Sequence, residues 1–248
     1  MRPLNSATVW YLYHSGFALK TQNHFMIFDY YADKPEGYAR SLDTGVIDPA
    51  QIASEHVLVF SSHSHGDHFV PRIFDWQKEI PNIQYILSYD IRSAKKPAGA
   101  ICARPGEPYD ANGVHITALR STDAGVAFVI EADGLTIYHA GDLNWWHWEG
   151  EPDGDNRQMA GNYKKEINTL KGKHIDIAFV TLDPRQERDY LRGLDYLAKT
   201  ANLGVVFPMH FGSDYSVFGW LKADPRATAY LDKVKTITRR GEKFELFF

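Results

Sequence analysis

The chain has 248 residues, 44% of them hydrophobic and 23% charged, with a formal net charge of −4. This length suits one large α/β domain with an ample core, and the mild acidity argues against a general polyanion-binding surface. A single cysteine, Cys102, excludes an intrachain disulfide framework and fits a reducing compartment. No apolar run approaches the roughly 18 residues of a membrane span, and the opening residues lack a signal peptide's basic start and apolar run. A cytoplasmic protein without membrane contact is therefore expected.

In chain order, alternating apolar residues predict strands over 8–14, 17–21 and 24–31. The apolar run at 55–62 reads as a buried strand, and a helix is predicted from near Pro71 through "RIFDWQKEI". Short strands follow at 83–88, 100–103, 114–120, 125–131 and 135–139, with "ADG" as the hairpin turn before the last. The second half alternates: helix 157–170, strand 175–181, helix 186–201, strand 204–209, helix 225–235 and a closing strand "KFELFF". Two β-rich segments, each followed by helices, predict an α/β fold of two stacked mixed sheets with helices outside. It is read as one domain over 1–248, in two pseudo-symmetric halves of about 1–124 and 125–248.

The stretch "SSHSHGDHF" (61–69) crowds His63, His65, Asp67 and His68 directly after a predicted strand end. Open α/β folds place reactive groups at that position. His63 and His65, two apart on an extended loop, can share one cation, while Asp67 and His68 point elsewhere and can serve a second. Borderline divalent ions want at least three protein groups each. Two later strand ends offer more: Asp142 in "YHAGDLN" and His210 in "VVFPMHFGSD".

The series HSHGDH, then GD, then MH resembles the metallo-β-lactamase superfamily of αβ/βα metallohydrolases over nearly the whole chain. That resemblance implies a four-layered αβ/βα sandwich. It also implies a first metal on His63 and His65, a second on Asp67, His68 and His210, and Asp142 bridging them. "YHSGFAL" and "MIFDYY" further resemble the opening strands of the branch that includes the sugar-lactone hydrolases, which puts His14 near the metals.

One departure stands out. Superfamily members usually supply a third histidine to the first metal just before the strand preceding the GD motif, where this chain reads "LRSTDAGVAFVIE". Asp123 is the expected substitute; His115, alternating within its strand, is not. A carboxylate there makes the ligand set harder and moves preference toward Mn or Fe relative to Zn. Around the site, Trp145, Trp146 and His147 offer a pocket wall, and Asp183, Arg185 and Tyr215 are candidate substrate contacts, with arginine suited to an anion.

The expected protein is thus a hydrolase with two divalent metal ions, zinc first and Mn or Fe as alternatives. A metal-bound hydroxide would attack an ester, lactone, amide or phosphoester bond of a small, anionic substrate. Asp67 would orient the nucleophile, and His14 would donate a proton to the leaving group or hold a ligand in place. Alternatives on the same fold are an iron-dependent oxidoreductase and a nuclease; the acidic balance counts against nucleic acid as partner. The oligomeric state is left open.

Overall fold

Side chains that alternate along a strand enter opposite faces of its sheet, and the first third of the chain uses both faces. The computed structural model describes residues 5–35, 37 and 39–248. It forms strands β1 (Ser6–Tyr13), β2 (Gly16–Lys20), β3 (Phe25–Phe28), β4 (Val57–Ser61), β5 (Ile83–Ser88) and β6 (Ile101–Ala103). Then come β7 (Pro108–Ala111), β8 (Val114–Arg120), β9 (Val126–Ala132), β10 (Leu135–His139), β11 (His174–Thr181), β12 (Asn202–Met209) and β13 (Lys243–Phe247). They build a seven-stranded sheet, β13-β1-β2-β3-β4-β5-β6, and a six-stranded sheet, β12-β11-β10-β9-β8-β7. Both are mixed: β3 through β6 run parallel in the first, and β10 through β12 in the second.

The inward residues Tyr11, Phe17, Phe28 and Phe60 meet Phe128, Phe179 and Phe207 in one core between the sheets. Phe17 and Phe179 lie 4.5 Å apart, centroid to centroid. Each such ring stabilises the fold by roughly 2–3 kcal/mol on burial. The outward partners Ile27, Val57 and Val59 pack under Ile73, Phe74 and Trp76. Helices α1 (Asp153–Ile167), α2 (Arg192–Thr200) and α3 (Val217–Ala223) cover the second half, α2 packing on β11 and β12. The predicted two-sheet sandwich is the observed one.

Several boundaries differ. Pro71–Lys78 is a 3-10 helix, whose three-residue turn aligns Ile73 with Trp76, both buried; Pro81 leaves little room for a longer helix. The helix expected over 186–201 starts at Arg192, because Glu187 at φ 49° breaks the preceding turn. The helix expected over 225–235 does not form: an unpredicted α3 ends at Ala223, before Asp224-Pro225, and two short 3-10 turns follow. Strand β7 was not predicted, although Asn112-Gly113, both at positive φ, forms its hairpin turn to β8. Among the described residues no helix is long and apolar enough to cross a membrane.

Candidate metal centre

Every predicted ligand lies in a loop that leaves a strand end, Asp123 between β8 and β9. The motif loop leaves β4, Asp142 follows β10, His210 follows β12, and His14 sits in the turn joining β1 to β2. Two glycines let the motif loop lie flush against the second sheet. At Gly125 (φ 67°) a Cβ would fall 2.0 Å from the Ser62 carbonyl oxygen, and at Gly141 (φ 50°) 2.6 Å from Ser62 Cβ. The glycine of the GD motif is therefore a packing requirement for the histidines opposite it.

The two oxygens of Asp142 point different ways. Oδ2 lies 3.5 Å from His63 Nε2, while Oδ1 lies 3.3 Å from His68 Nε2 and 3.2 Å from His210 Nε2. Ligand atoms of His63, His65 and Asp142 fall within 4.8 Å of one another, as do those of His63, Asp67 and His68, and those of His14, His68 and His210. Asp123 joins none of these groups. It is exposed on the rim of a cavity of about 270 Å³ that it lines with Asp142, Trp146, Trp148, Met159, Arg185 and His210.

Carboxylates behind the imidazoles set their tautomers. Asp29 is buried and accepts three bonds: Ser62 N to Oδ1 at 2.7 Å, Ser62 Oγ to Oδ2 at 2.7 Å, and His68 Nδ1 to Oδ2 at 2.8 Å. Because the Ser62 hydroxyl donates to Asp29, its oxygen accepts from His63 Nδ1 at 3.0 Å. Asp183 accepts from His210 Nδ1 at 2.9 Å. In the neutral imidazoles the proton thus sits on Nδ1 and leaves the Nε2 lone pair for a cation, an assignment inferred from the partners.

The residues fit divalent cations. Nε2 of His14, His63 and His68 is buried without a hydrogen-bond partner, a cost of about 1–3 kcal/mol for each atom left so. Burial acts to lower the His210 imidazole, but the carboxylates of Asp142 and Asp183 outweigh it and raise it to about 9. Burial likewise opposes ionisation of Asp142, yet His210, His68 and His63 hold its carboxyl well below the usual range. For His14 the carboxylates of Asp67 and Asp142 act upward but are outweighed. Burial, then His210 and His68, lower it to about 3. Nitrogen and oxygen donors of this kind suit Zn, Mn or Fe.

The expected pocket residues divide. Trp146 is buried, its ring 5.4 Å from that of His210, and its Nε1 donates to the Asp142 carbonyl at 3.0 Å. Trp148, the third tryptophan of the same stretch, stacks on Trp146 at 5.9 Å. Trp145 lies instead against α1 and α2, under Lys164 at 4.3 Å and beside Tyr196. His147 turns toward Asp189, 3.8 Å away. Asp183 is fully buried rather than open to a substrate, its carboxylate taken by His210 and Arg185. Arg185 is exposed and lines both the cavity above and a second one of about 400 Å³, which His14, His210 and Gly212 also line. Tyr215 packs on Phe211 at 5.4 Å. Asp29, Ser62 and Met159 were also missed; "MIFDYY" marked the place of Asp29 but gave no sign of its task.

A family model described as a Beta-lactamase superfamily domain matches residues 8–146. The chain belongs to the beta-lactamase superfamily. Within it, a relative from Korarchaeum cryptofilum, described as a UPF0173 metal-dependent hydrolase, is 28% identical over 96% of this chain and 94% of its own. Igni18 from Ignicoccus hospitalis, a metallo hydrolase, is similar in structure at TM-score 0.65 and 18% identity, covering 98% of this chain and 99% of its own. CmlA from Streptomyces venezuelae, a diiron β-hydroxylase, reaches TM-score 0.59 at 10% identity, over 98% of this chain and 54% of its own. The superfamily match covers the HSHGDH motif, Asp142 and Trp146, and it ends before His210.

Proposed function

We propose that this chain is a metal-dependent hydrolase with a two-cation site, acting on an ester or lactone bond of a small anionic substrate. The divided orientation of Asp142, Oδ2 toward His63 and Oδ1 toward His68 and His210, carries this reading. One carboxylate facing two groups of imidazoles is what a bridge between two cations needs. The description of the Korarchaeum cryptofilum relative as a metal-dependent hydrolase supports it, and the likeness of "YHSGFAL" to the sugar-lactone hydrolases favours a carbonyl centre.

Divalent cations there would acidify a water and polarise the scissile oxygen. His63 and His65 would hold one cation with Asp142, and Asp67, His68 and His210 the other; Asp123 would complete the first from the cavity rim. Asp67, with half its side chain exposed, would also accept a hydrogen bond from the attacking water and orient it. Trp146 and Trp148 wall the cavity against bulk solvent and offer faces for a ring. Arg185, shared by both cavities, would receive the anionic group.

CmlA sharing the fold favours one rival, an iron-dependent oxidation. Metal-loaded protein assayed without oxygen against lactones, carboxylic esters and phosphodiesters separates the two. Turnover of a lactone or ester that disappears in Asp142→Ala is the expected result. Oxygen consumption by the iron form, with no hydrolysis of any of them, would overturn it.

A further inference from the structure

We propose that His14 is itself a cation ligand, so that the second site is built from three imidazoles, His14, His68 and His210. The proposal rests on the cation-binding reading of the site and adds to it a residue from the first turn of the chain.

The backbone delivers His14 with unusual care. The β1–β2 register shifts between Tyr11 and Tyr13, the kind of irregularity that re-aims a side chain. His14 then takes φ 56°, a left-handed conformation uncommon for a residue with a Cβ. Two bonds hold it there. His14 N–H donates to Tyr11 Oη at 2.8 Å, and His14 carbonyl oxygen accepts from His210 N–H at 3.1 Å. Tyr11 is fully buried and donates in turn to the Gly212 carbonyl at 3.2 Å. His210 is left-handed as well, at φ 71°. Two strained turns from opposite sheets are thus tied to each other, and strain persists at functional sites where the surroundings over-determine it.

The side chain has no other occupation. Its Nε2 is buried and makes no hydrogen bond. The nearest carboxylate oxygen, Asp67 Oδ2, is 3.6 Å away, too far for one. Its ring lies 4.2 Å from that of His210 and 5.4 Å from that of His68, and the three ligand atoms fall within 4.8 Å of one another. Nitrogen lone pairs brought together in a buried place repel unless something positive lies between them. The nitrogens of His68 and His210 also reach Asp142 Oδ1; that of His14 has the shared centre and, 3.6 Å away, the Asp67 carboxylate beside it.

With His14 included, the second site has three grouped imidazoles, Asp67 and the bridging carboxylate, against His63, His65 and the same carboxylate in the first, where Asp123 stands on the cavity rim and joins no ligand group. The second site is then the tighter one. The test titrates metal-free full-length protein with Zn(II) against a competing chelator and with Co(II) followed in the visible. The variants are His14→Asn and His14→Gly, both tolerant of left-handed backbone, with His63→Ala as comparison. Loss of a supporting residue alone weakens metal binding by about 10–100-fold, so loss of a ligand should weaken the tighter equivalent by at least about tenfold. The Co(II) ligand-field bands should shift, while His63→Ala weakens the other equivalent. A second readout needs no variant: the Co(II) protein should show hyperfine-shifted proton signals from five imidazoles rather than four. Wild-type affinities and bands in both His14 variants, beside a lost equivalent in His63→Ala, would overturn this proposal alone. If His63→Ala also keeps both equivalents, the cation reading falls with it.

Discussion

Replacing Asp29 by asparagine separates shape from proton placement, since the two side chains are nearly isosteric. In the native site Oδ2 accepts from both Ser62 Oγ–H and His68 Nδ1–H, and Oδ1 accepts from Ser62 N–H. Asparagine can keep the Oδ1 bond, but its Nδ2 then presents protons to two donors. The Ser62 hydroxyl can relieve one conflict by rotating to donate to His63 Nδ1, 3.0 Å away, which moves the His63 proton onto Nε2. His68 relieves the other in the same way. Both imidazoles would then carry a proton on the atom that must bind the cation. Changes to such supporting groups typically weaken metal binding by 10–100-fold, about 1.4–2.7 kcal/mol. Because Asp29 serves a histidine of each proposed cation site, both equivalents should weaken. Equilibrium dialysis against a chelator, with urea denaturation to confirm the fold, measures this. Asp29→Asn that folds and binds both equivalents within threefold of the native protein would refute the tautomer relay.

Far from the metals, Asp133 accepts from Thr21 Oγ1 at 2.6 Å, Asn23 N at 2.9 Å and Asn23 Nδ2 at 2.8 Å, and meets His24 Nδ1 at 3.0 Å. Burial opposes its charge, but these partners lower its pKa from 3.8 to about 2. A folded value below the unfolded one means stabilisation that is complete above pH 3.8 and lost as pH falls from there through about 2, worth about 1–2 kcal/mol. Asp133→Asn should lose that amount at pH 7 and flatten the acid limb of the denaturation profile; an unchanged limb would contradict the account. Arg185→Gln should raise KM for an anionic ester about tenfold with kcat little altered, and leave a neutral ester alone. Equal losses on both esters would mean that Arg185 supports Asp183 rather than the substrate.

Much of the candidate centre was legible because its residues are local in sequence where the loop is tight. His63, His65, Asp67 and His68 lie within six residues, and the structure gathers them with Asp142 and His210 as their places after strands predicted. Asp29 was not legible, because an aspartate at a strand end most often caps a turn, and only pairing of β3 with β4 brings it behind His68. The pocket wall was half legible for a related reason. "NWWHW" announces aromatic packing, but which rings face the cavity beside Asp142 depends on how the irregular segment after it turns: Trp146 and Trp148 turn in, and Trp145 turns toward α1 and α2. Helix boundaries failed where backbone details decided them, as with Glu187 at φ 49°.

The two sheets solve the same problem in the same way. In the first, Asp29 at the end of β3 backs His68 beyond the end of its parallel neighbour β4. In the second, Asp183 at the end of β11 backs His210 beyond the end of its parallel neighbour β12. Parallel pairing places both strand ends at the same edge, so a carboxylate on one strand reaches the imidazole on the next. The devices differ in reach: Asp29 governs His68 and, through Ser62, His63, whereas Asp183 touches only His210 among the histidines and is otherwise held by Arg185. Asp183→Asn should therefore weaken one metal equivalent by about 10–100-fold and leave the other within threefold, in contrast to the double loss in Asp29→Asn. Competitive titration of both variants distinguishes the patterns. Equal weakening of both equivalents in Asp183→Asn would mean that the cations are bound as a single coupled unit, and that separate backing of each imidazole does not describe the site.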